Sequence, residues 1–197
     1  MQGLADGYFV LPYTLSDYLA DWLNTPTVPI DDPAFIQTVG EVTQRVDGYL
    51  ASNGNRSVDW FHKELGKIML DYCGMTRSEA GLQKALSEIP ALFTEYKDNV
   101  KLLGSADTLN QSLERAGRVD DFFELAQQMC LDALHREESC GGHFREEHKS
   151  PEGEAERDDE NFAHVSAWEW TGDPANPELN VEQLEFENVA LTTRSYK

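Results

Sequence analysis

The 197-residue sequence is poor in basic residues and contains no long apolar run. Its 16 Lys and Arg side chains stand against 36 Asp and Glu, so the formal net charge is −20. Nucleic-acid binding needs clustered basic side chains, and this composition argues against it. The missing apolar run and a mean hydropathy of −0.53 argue against insertion into a membrane. The excess acids predict either a well-solvated surface or a face for a basic partner.

Cysteine is also scarce, and its spacing fits neither a disulfide framework nor structural zinc. Cys73 and Cys130 fall within helical patterns and are expected to be small, reduced core residues. Cys140 stands beside two glycines, close to His143. A nucleophilic Cys140–His143 pair stays open on paper, although no orienting group and no cause for a lowered thiol pKa are visible.

Motifs for metal or nucleotide binding are absent as well. His143 and His148 have acidic neighbours, but they lack the helix and the third ligand of a zinc-hydrolase motif. The Gly141-Gly142 pair has no strand before it and no helix after it, so it does not match a dinucleotide-binding turn. We therefore predict no catalytic, cofactor-binding or metal-binding residue in this chain.

What the sequence does have is apolar periodicity typical of long helices. Four helices are predicted, at about residues 33–51, 58–73, 77–103 and 108–137. Thr76-x-x-Glu79 fits a capping box at the start of the third helix, and Pro90 is expected to kink or break that helix. Six side chains on these helices are expected to be buried: Leu86, Ile89, Phe93, Leu113, Phe123 and Cys130.

Short links between the helices favour antiparallel neighbours. Alternating patterns at residues 163–170 and 183–189 predict two strands, joined by a turn region at 172–180. The predicted fold is mainly α: an antiparallel bundle of three long helices plus an additional N-terminal helix, with a small C-terminal β-ribbon and loop appendage.

One segment carries a more specific signal. Residues 137–148 read Glu-Glu-Ser-Cys-Gly-Gly-His-Phe-Arg-Glu-Glu-His and directly follow the fourth helix. This resembles the Glu-Ser-Arg-Gly-(Ala/Gly)-His-x-Arg turn after the last long helix in flavoprotein subunits of succinate dehydrogenase and fumarate reductase. Cys140 stands where that motif has Arg, so a guanidinium contact at this position does not carry over, and Arg145 or Arg136 is a candidate substitute.

The resemblance extends along most of the chain. Residues 57–77 look like the opening of the helical domain in these subunits, and Arg194-Ser195-Tyr196 is similar to their Arg-Ser-Tyr ending. Residues 1–10 resemble the last helix of the flavin domain, so the chain is expected to begin inside a helix of a longer protein. The implied domains are 1–31, a remnant of that helix and a linker; 32–140, the helical bundle; and 141–197, an acidic loop, β-ribbon and tail.

The resemblance implies a function for the parent protein. In this family the flavin domain binds FAD and a dicarboxylate, hydride passes between succinate and the flavin, and electrons continue to an iron–sulfur subunit. The helical domain packs against the flavin domain, and the complex lies peripherally on the cytoplasmic face of the inner membrane. Residues expected at the interdomain contact are Glu138, His143, Arg145, Arg194 and Tyr196.

The chain itself is expected to bind no FAD and to be inactive, and its exposed N-terminal helix makes a homodimer possible. Two alternatives remain open at this point. One is a free-standing acidic helical interaction module, and the other is the C-terminal domain of L-aspartate oxidase. The resemblance also leaves open whether the parent oxidises succinate or reduces fumarate.

Overall fold

A computed structural model describes residues 1–192 of the chain, apart from the side chain of Gln2. The mainly α architecture with a small β-ribbon is confirmed. Internal contacts divide the chain into two units, Met1–Gln44 and a second unit that begins at Arg45. The predicted contact residues Arg194 and Tyr196 lie outside the described residues.

The first unit consists of short helical pieces and the start of a longer helix. In order these are α1 (Gln2–Ala5), a π-helical turn (Asp6–Val10), α2 (Leu11–Leu19), a 3-10 turn (Ala20–Trp22) and the start of α3 (Pro33–Ala51). Its large apolar side chains are exposed, among them Tyr8, Phe9, Leu11, Tyr13, Leu15 and Tyr18. Phe35, Val39 and Val42, in the part of α3 that belongs to this unit, are also exposed.

The second unit holds the remaining helices and strands. These are β1 (Arg56–Ser57), α4 (Val58–Cys73), α5 (Glu79–Asn99), β2 (Val100–Lys101), α6 (Gln111–His135), α7 (Asp159–Phe162), β3 (His164–Glu169) and β4 (Glu178–Gln183). The bounds of α3 and α4 agree with the prediction. None of the helices within residues 1–192 combines the length and the hydropathy that a membrane span requires.

The three long helices of this unit pack as antiparallel neighbours. The Phe61 ring near the start of α4 meets the Tyr96 ring near the end of α5, with 5.2 Å between their centroids. The Tyr96 hydroxyl in turn donates to the carbonyl oxygen of Ala116, early in α6, at 2.7 Å. Each helix therefore reverses the direction of the one before it, and α4 and α6 run the same way.

Aromatic side chains from all three helices make up the centre of the core. Phe123 stacks on Phe93 with 4.9 Å between ring centroids and lies 5.5 Å from the ring of Tyr96. Of the six side chains expected to be buried, Ile89, Phe123 and Cys130 are fully buried. The other three pack against the core while partly exposed, namely Leu86, Phe93 and Leu113.

A buried carboxylate ties α3 to the other helices. Asp120 on α6 accepts hydrogen bonds from the Tyr49 hydroxyl and the Lys97 ammonium group. Burial is the main cause that raises the pKa of Tyr49, and the hydrogen bond to Asp120 adds to it. Because a buried charge needs partners, Asp120 holds the last turns of α3 against α5 and α6.

Helix α5 begins and ends at different residues from those predicted. Its N-cap is Ser78, whose hydroxyl accepts the N–H of Gly81 at 3.2 Å, rather than Thr76. It ends at Asn99 because Val100–Lys101 pairs in parallel with Arg56–Ser57. Helix α5 runs through Pro90 without a break. The long-range strand pair, which no local pattern reveals, shortens the predicted helix.

Helix α6 and the ribbon also differ in detail from the prediction. Asn110 caps α6 by accepting the N–H groups of Ser112 and Leu113, each at 3.1 Å, so the helix begins three residues later than predicted. Strand β3 lies where it was predicted, but its partner is Glu178–Gln183 rather than residues 183–189. The antiparallel register opposes Glu169 and Glu178, which a turn stabilised within residues 171–176 brings together.

Candidate functional site

The segment that follows α6 folds back against the ends of two helices, and we call residues 136–148 the return loop. Its tip is a tight turn in which Cys140 and His143 exchange backbone hydrogen bonds of 2.9 and 3.0 Å. Gly141 has φ +60°, a left-handed conformation that a side chain disfavours. Glycine at this position allows the loop to reverse direction and place the side chains on either side of the turn.

Arg145 closes the C-terminal end of α6 from within the return loop. It is 2% exposed, and its guanidinium donates to the carbonyl oxygens of Ala133 at 2.9 Å and Leu134 at 3.1 Å. The carbonyls of a helix's last turn have no partner inside the helix, and they form the negative end of its dipole. A buried cation there satisfies both needs, so Arg145 is a C-terminal cap supplied by a later part of the chain.

The same guanidinium connects α6 to the start of α5. Arg145 Nε donates to Glu147 Oε2 at 3.2 Å, and Glu147 Oε1 accepts the backbone N–H of Glu79 at 2.8 Å. Burial opposes ionisation of Glu147, but the Glu79 N–H and Arg145 outweigh it and hold the pKa of this carboxyl below its ordinary value. One ion pair thus stabilises the C-terminus of α6 and the N-terminus of α5 together.

His143 links the return loop to the segment between α4 and α5. Its Nδ1 lies 2.8 Å from Arg77 Nη1, and its Nε2 lies 2.9 Å from the carbonyl oxygen of Arg136. A guanidinium can only donate, so Nδ1 accepts and Nε2 carries the proton. Burial is the main cause that lowers the pKa of His143, and the cations Arg77 and Arg145 add to it. The neutral ring is therefore the form that fits.

Main-chain pairing reinforces this link. The N–H of Arg77 donates to the carbonyl oxygen of Phe144 at 3.0 Å, and the N–H of Glu146 donates to the carbonyl oxygen of Arg77 at 2.8 Å. Ser139 is fully buried and accepts the N–H of Arg145 at 2.8 Å. The loop is accordingly a packed part of the bundle.

Glu138 and Arg136 connect the loop to the ribbon. Arg136 Nη1 donates to Glu138 Oε1 at 2.7 Å, and the N–H of Asp158 donates to Glu138 Oε2 at 3.0 Å. Arg136 Nη2 also donates to the carbonyl oxygen of His164, at the start of β3, at 3.2 Å. With Glu138 only 2% exposed, this pair joins the end of α6, the segment before α7 and the ribbon.

The structure thus brings together three of the predicted contact residues, Glu138, His143 and Arg145, but directs their side chains into their own unit. Their hydrogen-bond partners lie at the end of α6, at Arg77 before α5, within the return loop and at Asp158 before α7. Sequence reasoning missed Glu147 and Arg77 as parts of this network. The signal for Arg77 lay in the Met75-Thr76-Arg77 segment that resembles the family, whereas nothing local distinguished Glu147 from its acidic neighbours.

The hydrogen bonds of His143 bear on metal binding and on the Cys140–His143 pair. Both ring nitrogens of His143 are hydrogen-bonded, so neither is available to a metal or to the Cys140 thiol. Cys140 is exposed, while Arg136 pairs with Glu138 and Arg145 donates to the carbonyl oxygen of Ala133. Within the described residues, no three His, Cys, Asp or Glu side chains form a metal-binding group.

An apolar groove is the second notable feature of the second unit. It lies between α4 and α6, has a volume of about 190 Å³, and Gly66 forms part of its floor. Its rim on α6 is Phe122, Leu125 and Met129, which are 38%, 56% and 45% exposed. A row of large apolar side chains on one helix face is typical of a surface that another protein segment covers.

The second unit is therefore a three-helix bundle in which Arg145 of the return loop closes the end of the last helix. This arrangement defines the class of domain. The model of the family "Fumarate reductase flavoprotein C-term" matches residues 62–196, and the chain belongs to this family. The match includes most of α4, all of α5 and α6, the return loop and the ribbon. The resemblance inferred from residues 57–77 and 137–148 is therefore confirmed.

Similar proteins agree with this assignment. The fumarate reductase flavoprotein subunit of a Serratia species is 29% identical over 167 residues, which are 84% of this chain and 26% of the relative. L-Aspartate oxidase of a Synechocystis species is 24% identical over 135 residues, 62% of this chain and 24% of that enzyme. The chain thus spans about a quarter of the length of these relatives.

A solved quinol–fumarate reductase containing menaquinol molecules has the same fold over most of the chain. Its TM-score is 0.69 at 22% sequence identity, and the match covers 85% of this chain and 28% of that one. At this level of identity the likeness concerns the fold.

Proposed function

We propose that this chain serves as the C-terminal structural part of the flavoprotein subunit of a succinate dehydrogenase or fumarate reductase. The whole protein would bind FAD, interconvert succinate and fumarate, and pass electrons to an iron–sulfur subunit. The observation that carries the proposal is the family match over residues 62–196, which includes the return loop packed against α5 and α6.

The role proposed for the chain itself is structural. The polar residues of its most specific motif stabilise helix ends, as Arg145 does for α6 and Glu147 for α5. Dicarboxylate recognition needs cationic groups that converge on an open site, and the Arg136 and Arg145 guanidiniums are instead engaged by carbonyls and by Glu138 and Glu147. Substrate and FAD binding therefore belong to the rest of the proposed parent.

The surfaces that remain are suited to contact with other protein. The apolar groove between α4 and α6 presents Phe122, Leu125 and Met129, and the first unit exposes a row of aromatic side chains. We assign these surfaces to the parent's own flavin domain and to its iron–sulfur subunit. In that assembly the subunit would lie peripherally on the cytoplasmic face of the inner membrane.

The L-aspartate oxidase relative supports one alternative, in which the chain is the C-terminal domain of such an oxidase. That assignment predicts a parent that oxidises L-aspartate. A free-standing interaction module, the other alternative, predicts a polypeptide of 22.2 kDa without flavin.

To test the proposed function, the native protein is isolated from its own cells with an antibody against this chain. We expect a polypeptide about three times as long as this chain, since the 167 matched residues are 26% of its Serratia relative. Flavin absorbance, turnover of succinate or fumarate with an artificial electron carrier, and a co-purifying iron–sulfur protein should accompany it.

The chain alone, incubated with FAD, is the matched control and should retain no flavin. Aspartate oxidation would establish the oxidase instead, and a flavin-free 22.2 kDa protein would establish the module.

A further inference from the structure

A second pocket lies where the ribbon meets α6, and we call it the tryptophan pocket. It has a volume of about 280 Å³ and is lined by side chains from α6, from the end of β3 and from the turn that follows β3. Leu125, which is 56% exposed, lines both this pocket and the apolar groove between α4 and α6. The pocket and the groove are therefore parts of one continuous surface along α6.

Two tryptophans give the pocket its aromatic wall. Trp168 lies in β3, and Trp170 follows the end of that strand. The indole N–H of Trp168 donates to Asp132 Oδ1 on α6 at 2.7 Å, and this hydrogen bond orients the ring. Trp170 is 59% exposed. A large aromatic side chain that stays in solvent beside an apolar groove is typical of a contact site.

The charged side chains of the pocket all have the same sign. Asp121 and Glu124 of α6 and Glu169 of β3 line it, and none of the lining residues that the structure describes is basic. In the strand register Glu169 also lies directly opposite Glu178. Like charges in that position destabilise a strand pair. A cation bound in the pocket would reduce the repulsion among these carboxylates.

We propose that the tryptophan pocket binds an arginine side chain of another protein segment, whose apolar side chains cover the adjoining groove. A guanidinium is the cation that fits, because its face stacks on an indole ring while its edge donates to carboxylates. The groove selects a protein segment over a free small cation, since Phe122, Leu125 and Met129 offer apolar surface that a larger partner covers. The inference is independent of the reaction that the parent carries out.

The charge of the whole chain favours the same partner. A formal net charge of −20 attracts a basic segment from a distance, and added salt weakens this attraction. Apolar contact in the groove does not depend on charge. Binding should therefore weaken with salt and still be measurable at high salt, whereas a segment held by net charge alone would dissociate.

The first experiment titrates the complete chain with a short capped peptide in which one arginine is flanked by leucines. NMR spectra follow the indole N–H signals of the four tryptophans. We expect saturable shifts at Trp168 and Trp170 and unchanged signals at Trp22 and Trp60, which do not line the pocket. A peptide with glutamine in place of arginine should bind about fivefold more weakly or worse. Equal binding of the two peptides, or shifts that never saturate, would overturn the proposal.

Variants of two exposed side chains locate the arginine. Trp170→Ala and Glu124→Gln should each weaken binding of the arginine peptide by about threefold, because each removes one part of the guanidinium site. Glu88→Gln is the matched control, since that carboxylate lies on α5 and lines a different pocket. It should leave the affinity unchanged, and thermal melts check that all three variants fold. Equal losses for Glu124→Gln and Glu88→Gln would show that only the net charge matters and would refute the site.

Met129 distinguishes a protein segment from a free cation. It lines the groove but not the tryptophan pocket, and it is 45% exposed. Met129→Ala should weaken binding of the leucine-flanked peptide and leave the weaker binding of arginine amide unchanged, because only the peptide reaches the groove. Arginine amide that binds as tightly as the peptide would show that the groove takes no part, and the assignment to a protein segment would be wrong.

Discussion

At the scale of single residues, Arg145 carries the largest number of contacts in the return loop. Arg145→Ala should lower the free energy of unfolding by about 3 kcal/mol, because two helix-end carbonyls and the Glu147 carboxylate lose a buried charged donor. Chemical denaturation of the variant measures this. Arg118→Ala is the matched control, since that side chain is 68% exposed and pairs within its own helix.

The control should change stability by less than about 0.5 kcal/mol. Arg145→Lys should recover part of the loss, because it keeps the charge but offers one nitrogen where the guanidinium reaches several acceptors. Equal effects of Arg145→Ala and Arg118→Ala would mean that the return loop contributes little to stability.

The lowered pKa of His143 predicts that its contribution to the free energy of unfolding decreases on acidification. Its pKa in the folded chain lies below the ordinary value of 6.5, so on acidification the unfolded chain takes up a proton before the folded chain does. The contribution of His143 is complete above pH 6.5 and is lost as the pH falls toward the lower folded value. His143→Gln, which keeps an acceptor for Arg77 and a donor for Arg136, should flatten this dependence.

Denaturation curves at several pH values compare the two proteins, and the difference between them isolates His143 from the carboxylates that titrate at lower pH. A wild-type protein that gains stability relative to His143→Gln as the pH falls below 6.5 would show that the ring is charged in the fold.

The return loop also shows what residue-level pattern can predict. The Gly pair predicts a tight turn, and the structure has one at Gly141. Many partners of Glu138, His143 and Arg145 were not predictable, because they are backbone carbonyls and N–H groups. Such groups are identical in every residue, so only the path of the chain decides which of them a guanidinium reaches.

At the scale of elements, the adjacent residues Phe122 and Phe123 of α6 form a natural pair for comparison. Phe123 is 1% exposed and stacks on Phe93, whereas Phe122 is 38% exposed at the groove. Phe123→Ala should destabilise the protein by about 3–5 kcal/mol, since it removes buried surface and leaves a cavity.

Phe122→Ala should cost much less stability in the isolated chain, because the groove is open there. Thermal melts of both variants provide the comparison. Equal losses for the two variants would show that α6 turns a different face to the core.

Periodicity predicted the helices well because their apolar positions repeat every turn, as the matching bounds of α4 show. It failed where a distant segment intervenes. Helix α5 ends at Asn99 because Arg56–Ser57 pairs with the next two residues. The second strand was placed at the apolar alternation of residues 183–189, but turn hydrogen bonds around Asp173 bring Glu178–Gln183 opposite β3 instead.

At the scale of the whole molecule, the first unit determines how the isolated chain should behave in solution. Tyr8, Phe9, Tyr13 and Tyr18 are each at least 70% exposed, which is more aromatic surface than a short segment usually leaves in water. The net negative charge makes two copies of the chain repel each other, but salt screens this repulsion. Burial of the aromatic side chains in a contact between two copies favours association. We therefore expect reversible self-association through residues 1–22.

Light scattering over a range of protein concentrations tests this expectation. The intact chain should gain mass with concentration by mass action, whereas a chain beginning at Asp31 should remain monomeric. The intact chain carrying Tyr13→Glu and Tyr18→Glu is the matched control, because both side chains are exposed and their replacement keeps the length. It should dissociate at concentrations where the unmodified chain is associated. If all three proteins stay monomeric, residues 1–22 do not form a self-complementary surface, and the homodimer is refuted.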